Sequence, residues 1–447
     1  MTGLSIFPAS ARRSVDPRPN IIRIVVDDAV PLDVNYMMQT KILLRNAGMK
    51  FTNHVTPFTI CAPSRVSILS GLQAHNHGVL TNDGAYDTFA PQIPSALPAM
   101  AQSSGVWVGH TGKYINGFMS GDPQPDGYDD FRGIIGSFER YYDYTLMENG
   151  DIISYGEGDA NYITDVLDTK VRAQIAMGAA SGKPFYIEYW PNACHGPCVP
   201  ATQDAGTIDP ELFPNQNFPS FNVNIINGFK VNPTLTADDI TILKNTWALR
   251  IETLQAVDRS IARIFADLAT LGILENTHVI FTSDNGFQQG EHCLNDGKGV
   301  LYEESWRLPM FWRGPGVSIM GNANVISNID TTAAIAELLG VTGWMRDGRS
   351  LTPLLFQTGG SWNTATLGQC RFSAGVRTLY YSYVKWFNHG YIELFDIKND
   401  PYQTTNFADD PRYAAAQAQL DATLTALQGC SESTCSISGN FPPPPHR

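Results

Sequence analysis

The 447-residue chain is short of cysteine, short of positive charge and without a long apolar run. Each shortage excludes something. Seven cysteines are too few for a disulfide-built scaffold, and an odd number leaves at least one without a partner inside the chain. Lys and Arg total 30 against 43 Asp and Glu, a formal charge of −13, and a field of that sign repels nucleic acid and anionic membrane surfaces. No apolar run approaches the ~20 residues that cross a bilayer, so no membrane span is expected. The opening "MTGLSIFPASARRSVDPRPN" has no basic start followed by a continuous apolar core, and does not read as an intact secretion signal.

What is present is ordinary globular material, 43% hydrophobic and 16% charged, enough for one large domain with a small second unit. Two cysteine pairs are spaced to close small disulfides: Cys430 with Cys435 in "GCSESTC", and Cys194 with Cys198 in "CHGPC". Neither has the second pair that a structural zinc site requires. A tail disulfide favours a secreted or periplasmic setting. The opening residues favour a cytoplasmic one, so the compartment stays open.

Several β-rich runs end in polar clusters. "NIIRIVV" (20–26) meets Asp27 and Asp28, "GVWVGH" (105–110) leads to Lys113, "KPFYIEYW" (183–190) is followed by His195, and "THVIFTS" (277–283) meets Asp284 and Asn285. Strands separated by helical segments predict a parallel-rich α/β sheet, whose ligands bind beyond the carboxyl ends of the strands. The four clusters are therefore expected on one rim. Ile240, Leu243, Trp247, Ile251, Leu254, Ile261, Ile264 and Leu268 recur at helical spacing and predict a long amphipathic helix over 236–271, stopped at Gly272.

After about residue 350 the texture changes. "TLYYSYVKWFNHGYIELFDI" reads as two strands joined by a turn at 388–390, and "RYAAAQAQLDATLTALQ" as a helix. The expected organisation is a large main domain over 18–350, a small α+β subdomain over 351–438, and extended tails at 1–17 and 439–447. The loop 201–224, rich in Pro, Asn and Phe, is expected to wall the rim.

Two adjacent carboxylates at a strand end repel one another unless a cation or a solvated turn intervenes. With Asp284 and Asn285 at a second strand end, Asp27 and Asp28 can complete an all-oxygen shell, which suits calcium or magnesium. "TICAPSRVSILSG" (59–71) sets Cys61 beside Arg65 at a helix mouth. A buried structural thiol and a thiolate nucleophile are both open to it.

"CAPSRVSILSG" resembles the C-x-P-S-R signature of type I sulfatases, in the alkaline phosphatase superfamily, whose maturation enzyme converts the cysteine to formylglycine. The likeness continues in family order through "RPNIIRIVVDD", "TGKY", "SDNG", "GEHCLNDGKGVLYEESWRLPM", "DGRSLTPLL" and "YIELFDIKNDPYQTTN". It implies an alkaline-phosphatase-like large domain with a mixed, mostly parallel sheet flanked by helices, and a small C-terminal subdomain with an antiparallel sheet. It implies a divalent cation, usually calcium with magnesium as the alternative, held by Asp27, Asp28, Asp284, Asn285 and the modified Cys61. Arg65 would stabilise the hydrated aldehyde, Lys113 and Lys298 would contact sulfate oxygens, and His195 would donate to the departing alcohol. One hydroxyl of the aldehyde hydrate would attack sulfur to give a covalent sulfated enzyme, and loss of the second proton would expel sulfate.

One departure matters. Many members place a histidine two residues after the first lysine, where this chain has Ile115 in "GKYING". Asn116 and "AHNHGV" (74–79) resemble the N-acetylglucosamine-6-sulfatase branch, so His75 or His77 could supply the missing base, with a structural role as the alternative. His292 could support the site from behind. The expected activity is hydrolysis of an aryl or carbohydrate sulfate ester. The alternatives are a phosphonate monoester or phosphodiester hydrolase, and a non-catalytic anion or sulfated-glycan binder in which Cys61 stays a thiol.

Overall fold

The computed structural model describes residues 16–223, 233–295, 297–388 and 390–445. Most of the amino-terminal tail (1–15), Asn224 at the end of the rim loop, His389 in the expected turn and the last two residues lie outside the described residues.

Eleven strands form one mixed sheet. At its centre Thr277–Ser283, Asn20–Val26, Phe185–Trp190 and Trp107–Lys113 lie side by side, all parallel. Every residue of these four is buried. That is why they read as continuous apolar runs, without the alternation of a half-exposed strand. Met310–Arg313 pairs antiparallel to Thr277–Ser283, and the Tyr144–Glu148/Asp151–Tyr155 hairpin closes the opposite edge.

The two faces are covered separately. Ile22, Ile24 and Val26 pack with the helices Ile163–Ser181 and Ala237–Thr270, whereas Ile21 and Val25 pack with Cys61–Ser70, Leu97–Ser103 and Asn328–Leu338. The long helix spans the predicted segment. Thr236 caps it by accepting from Asp239 N, and Gly272, at φ 69°, follows its end. Its stripe of Trp247, Ile251, Leu254 and Ile261 is buried, each such side chain contributing about 1.5–3 kcal/mol.

The carboxyl-terminal sheet is antiparallel, in the order Ala365–Gln369, Ser373–Thr378, Tyr381–Trp386, Ile392–Asp396. The helix Ala414–Gln428 covers it through Leu420, Leu424 and Leu427. Leu351, Leu355 and Trp362 belong to the core of the large domain, and a separate cluster joins the small sheet to that domain, Val384 and Trp386 packing with Val55 and Trp306. Residues 439–445 lie along the small sheet, with Tyr381 Oη donating to Pro442 O (3.0 Å). No helix among the described residues is long and apolar enough to cross a membrane.

Of the two cysteine pairs, Cys430 and Cys435 form a disulfide. Cys194 and Cys198 do not bond to one another: the Cys198 thiol donates to the Cys194 carbonyl oxygen at 3.3 Å. The peptide between them turns back on itself, so the second sulfur meets backbone.

Candidate active site

The four central strands deliver their polar ends to one rim, as parallel neighbours must. Backbone pairing continues past the strands: Asp27 N donates to Ala193 O and Cys194 N to Asp27 O, both at 2.9 Å. This brings the loop carrying His195 against the paired aspartates. Gly112, at φ 122°, lets the Lys113 strand approach its neighbour, since a Cβ there would lie 2.0 Å from Trp190 O. Gly286 does the same for the loop after Asn285, where a Cβ would lie 2.1 Å from Glu304 O.

The helix Cys61–Ser70 is buried along its whole length and points its first residue into this rim. Asn82 Oδ1 accepts from Ala62 N (3.0 Å), and Pro63 has no N–H to satisfy. Arg65 stands one turn beyond Cys61 on the same side. It is fully buried, and donates from Nε to Asp284 Oδ2 (2.9 Å), from Nη2 to Asp27 Oδ2 (3.2 Å) and from Nη1 to Lys113 O (3.0 Å). Ser64 of the same signature donates to Asp284 O at 2.5 Å.

Around Cys61 the groups alternate in sign. Lys298 Nζ is 2.7 Å from Cys61 Sγ and also pairs with Asp28 Oδ1; Asp27 Oδ1 is 3.5 Å from the same sulfur and Oδ2 is 2.5 Å from Lys113 Nζ. Asp28 N and Asn285 N both donate to Asp284 Oδ1, at 3.1 and 2.8 Å. His195 Nδ1 faces Gly196 O at 2.7 Å and Nε2 lies 4.0 Å from Asp28 Oδ2. All nine site residues read from the sequence are in this cluster.

Burial raises the Cys61 thiol and Asp27 adds to it, pushing it up to about 12 against the pull of Lys113 and Lys298. A neutral thiol at physiological pH is a poor nucleophile. Burial also works against the Asp27 carboxyl, but Lys113, His195, Arg65 and Lys298 together hold it well below the usual carboxylate range. Asp284 is raised, by burial first and then by Asp27 and Asp28. Burial would lower both lysines, yet the facing carboxylates keep them raised, Asp27 foremost for Lys113 and Asp28 for Lys298.

Asp27, Asp28 and Asp284 each offer an oxygen within 4.8 Å of the others, and Asn285 Oδ1 is buried beside them without a hydrogen-bond partner. Three carboxylates and an unsatisfied amide oxygen form a hard donor set, which fits calcium or magnesium and disfavours zinc or copper.

Neither histidine of "AHNHGV" reaches this rim. His77 is buried, shares a hydrogen bond with Ser67 Oγ (2.9 Å), accepts from Val79 N (3.1 Å), and is lowered to about 3 by burial and His75. His75 lies between Gln369 Oε1 (3.3 Å) and Cys430 O (2.9 Å), where it ties the disulfide loop to the large domain. Ile115 is buried in the apolar core. His292 packs against Tyr302 with ring centres 4.2 Å apart and planes tilted by 38°, and burial lowers it to about 3.

The sequence reading missed Arg250, whose guanidinium lies behind the aspartates. Its signal was an arginine inside the apolar stripe between Trp247 and Leu254. Over its described part the loop 201–223 packs on the long helix, where Phe213 meets Trp247, and on the 286–295 loop, where Asn222 N donates to Gly290 O (2.9 Å).

Residues 19–341 match the family described as Sulfatase, and residues 290–429 match N-sulphoglucosamine sulphohydrolase, C-terminal. N-acetylglucosamine-6-sulfatase of Homo sapiens is 28% identical, over 95% of this chain and 87% of its own length. A putative extracellular sulfatase Sulf-1 homolog of Caenorhabditis elegans is 31% identical over 76% of this chain and 50% of its own. Among solved structures, BT4656 in complex with its substrate D-glucosamine-2-N,6-O-disulfate has a TM-score of 0.75 at 22% identity, covering 92% of this chain and 97% of the other. The phosphonate monoester hydrolase of Agrobacterium radiobacter has a TM-score of 0.71 at 18% identity, covering 93% and 96%. At those identities the likeness concerns the fold.

Proposed function

The chain belongs to the sulfatase family and is a hydrolase, and from that premise we propose that it cleaves a sulfate monoester with a formylglycine made from Cys61. The observation that carries this reading is the setting of Cys61: a fully buried side chain at the mouth of its helix, with Sγ 2.7 Å from Lys298 Nζ and 3.5 Å from Asp27 Oδ1. A thiol so buried among oxyanion-binding groups has little use as a thiolate, and the position makes sense for a precursor. Its Sγ stands where the hydroxyls of the modified residue would be. The hydrated aldehyde supplies a nucleophilic hydroxyl and a second hydroxyl through which sulfate can be expelled from the sulfated enzyme.

The charges support an anionic substrate. Asp27, Asp28 and Asp284 are balanced by Arg65, Lys113 and Lys298. A divalent cation held by the three aspartates and Asn285, which we take to be calcium, adds the net positive charge that a sulfate ester needs. Lys113 and Lys298 orient the sulfate oxygens, Arg65 orients the modified side chain, and His195 protonates the departing alcohol. The named activities of the sequence relatives favour a sulfated sugar, and 6-sulfated glucosamine is the first substrate to test.

The test combines mass spectrometry of the Cys61 peptide, from protein coexpressed with a formylglycine-generating enzyme, with matched sulfate and phosphodiester assays in calcium. An aldehyde at position 61 and turnover of the sulfate ester are expected. Robust phosphodiester turnover with a silent sulfate ester would overturn the substrate class. An unmodified thiol in a preparation that still binds sulfated glycan would favour a binding protein.

A further inference from the structure

We propose that Arg250 is a positioning residue that locks the three site loops into cation-binding geometry from behind. The inference rests on the metal reading given under Proposed function, and concerns how this chain builds that site. Arg250 lies inside the long helix Ala237–Thr270 and is fully buried. Its Nη2 donates to Asp28 O at 2.7 Å and to Asp33 Oδ2 at 3.3 Å, and Nη1 to Cys194 O at 3.4 Å. Its Cζ lies 4.5 Å from the Phe287 ring centre. One side chain therefore touches the loop of Asp27 and Asp28, the loop of Cys194 and His195, and the loop that follows Asp284 and Asn285.

The contact at Asp28 has a specific consequence. Asp28 has φ 66°, a left-handed conformation that a residue with a side chain keeps only where its surroundings enforce it. Its N–H is held by Asp284 Oδ1 at 3.1 Å and its carbonyl by Arg250. Pinned at both ends, the backbone turns its carbonyl towards the helix and its carboxylate towards the site. With the Arg250 bond gone, nothing in the described surroundings holds that carbonyl away from the donor set. Asp33 in turn holds the guanidinium and accepts from Val30 N at 3.0 Å, which fixes the far side of the same turn.

A planar fork is needed because the two carbonyls belong to different loops. A lysine carries its charge on a single nitrogen and cannot span them in the same geometry. Groups that orient a metal's ligands without touching the metal commonly set its affinity within one to two orders of magnitude.

The experiment is calorimetric titration of the full chain with calcium chloride alone, comparing wild type, Arg250→Lys, and the double variant Arg250→Met with Asp33→Asn. The double variant removes both members of the buried ion pair, so no orphaned charge remains to unfold the protein. Calcium affinity should fall about 10- to 100-fold in the double variant. Arg250→Lys should fall between, at an unchanged melting temperature, because it keeps the charge beside Asp33 and loses the span to Cys194. Wild-type affinity in a double variant with a cooperative melt overturns the proposal. If the double variant does not fold, wild-type affinity in Arg250→Lys overturns it. A wild-type chain that binds neither calcium nor magnesium overturns the metal reading itself, and this proposal with it.

Discussion

Removing Arg65 should expose how the site's charge balance is built. Arg65→Met deletes the donors to Asp284, Asp27 and the Lys113 carbonyl in one step, with every group involved buried. Breaking a buried ion pair from one side costs about 3–5 kcal/mol, because the remaining charge keeps its desolvation penalty. Against a typical total of about 5–15 kcal/mol the variant should still fold. At about 2.1 cal/mol/K per residue, the 447-residue chain has an unfolding entropy of ~0.9 kcal/mol/K, which puts the fall in Tm at roughly 3–5 °C. The sign of its pH dependence follows from Asp284. That carboxyl is already raised by burial and by Asp27, and losing Arg65 raises it further. A carboxyl raised above its unfolded value of about 3.9 costs stability when ionised, and the cost is relieved as pH falls and the native state takes up the proton. Asp27, held low, keeps Lys113 and Lys298, and its contribution persists until well below the usual carboxylate range. Calorimetry of both proteins in chelator from pH 8 down to 5 should therefore show a deficit that shrinks on acidification. A deficit flat across that range, or none, would refute the charge-balance reasoning. Turnover at neutral pH should drop about 10²–10³-fold, as for loss of a preorganised oxyanion partner.

Two other outcomes test separate parts of the reading. His195→Ala should lower kcat about 10²–10⁴-fold on a sugar sulfate, whose alcohol needs a proton to leave, and much less on an aryl sulfate with an acidic phenol. Equal losses on both would remove His195 as the donor. Gly112→Ala places a Cβ 2.0 Å from Trp190 O at φ 122°, so strain and overpacking together should cost about 2–6 kcal/mol, read as a lower denaturant midpoint. An unchanged midpoint would show that the two strands can separate without cost.

Much of the site was legible because its parts sit at strand ends. Asp27, Lys113 and Asp284 each lie at or just beyond the last residue of an apolar run, and parallel strands bring their carboxyl ends together. The two histidines of "AHNHGV" stayed undecided between base and structural role for the converse reason. They lie on a short helix, Ala74–His77, and which way such a helix faces depends on packing that no local pattern records. Cys194 and Cys198 have the spacing of a small disulfide, but their sulfurs are set by a turn in which one thiol meets a carbonyl.

The amino-acid sequence by itself determined the strand runs, the long amphipathic helix and the ordered motifs around Cys61, because each is a property of neighbouring residues: periodicity, capping and spacing. Only the tertiary structure decided which charges face one another. The Cys61 thiol is pushed up because burial and Asp27, 34 residues away in sequence, outweigh the two lysines. Arg250 bears on the site because its helix crosses behind the aspartates, 222 residues from Asp28. Electrostatics inside a protein depends on distance and burial in space, and neither is written along the chain.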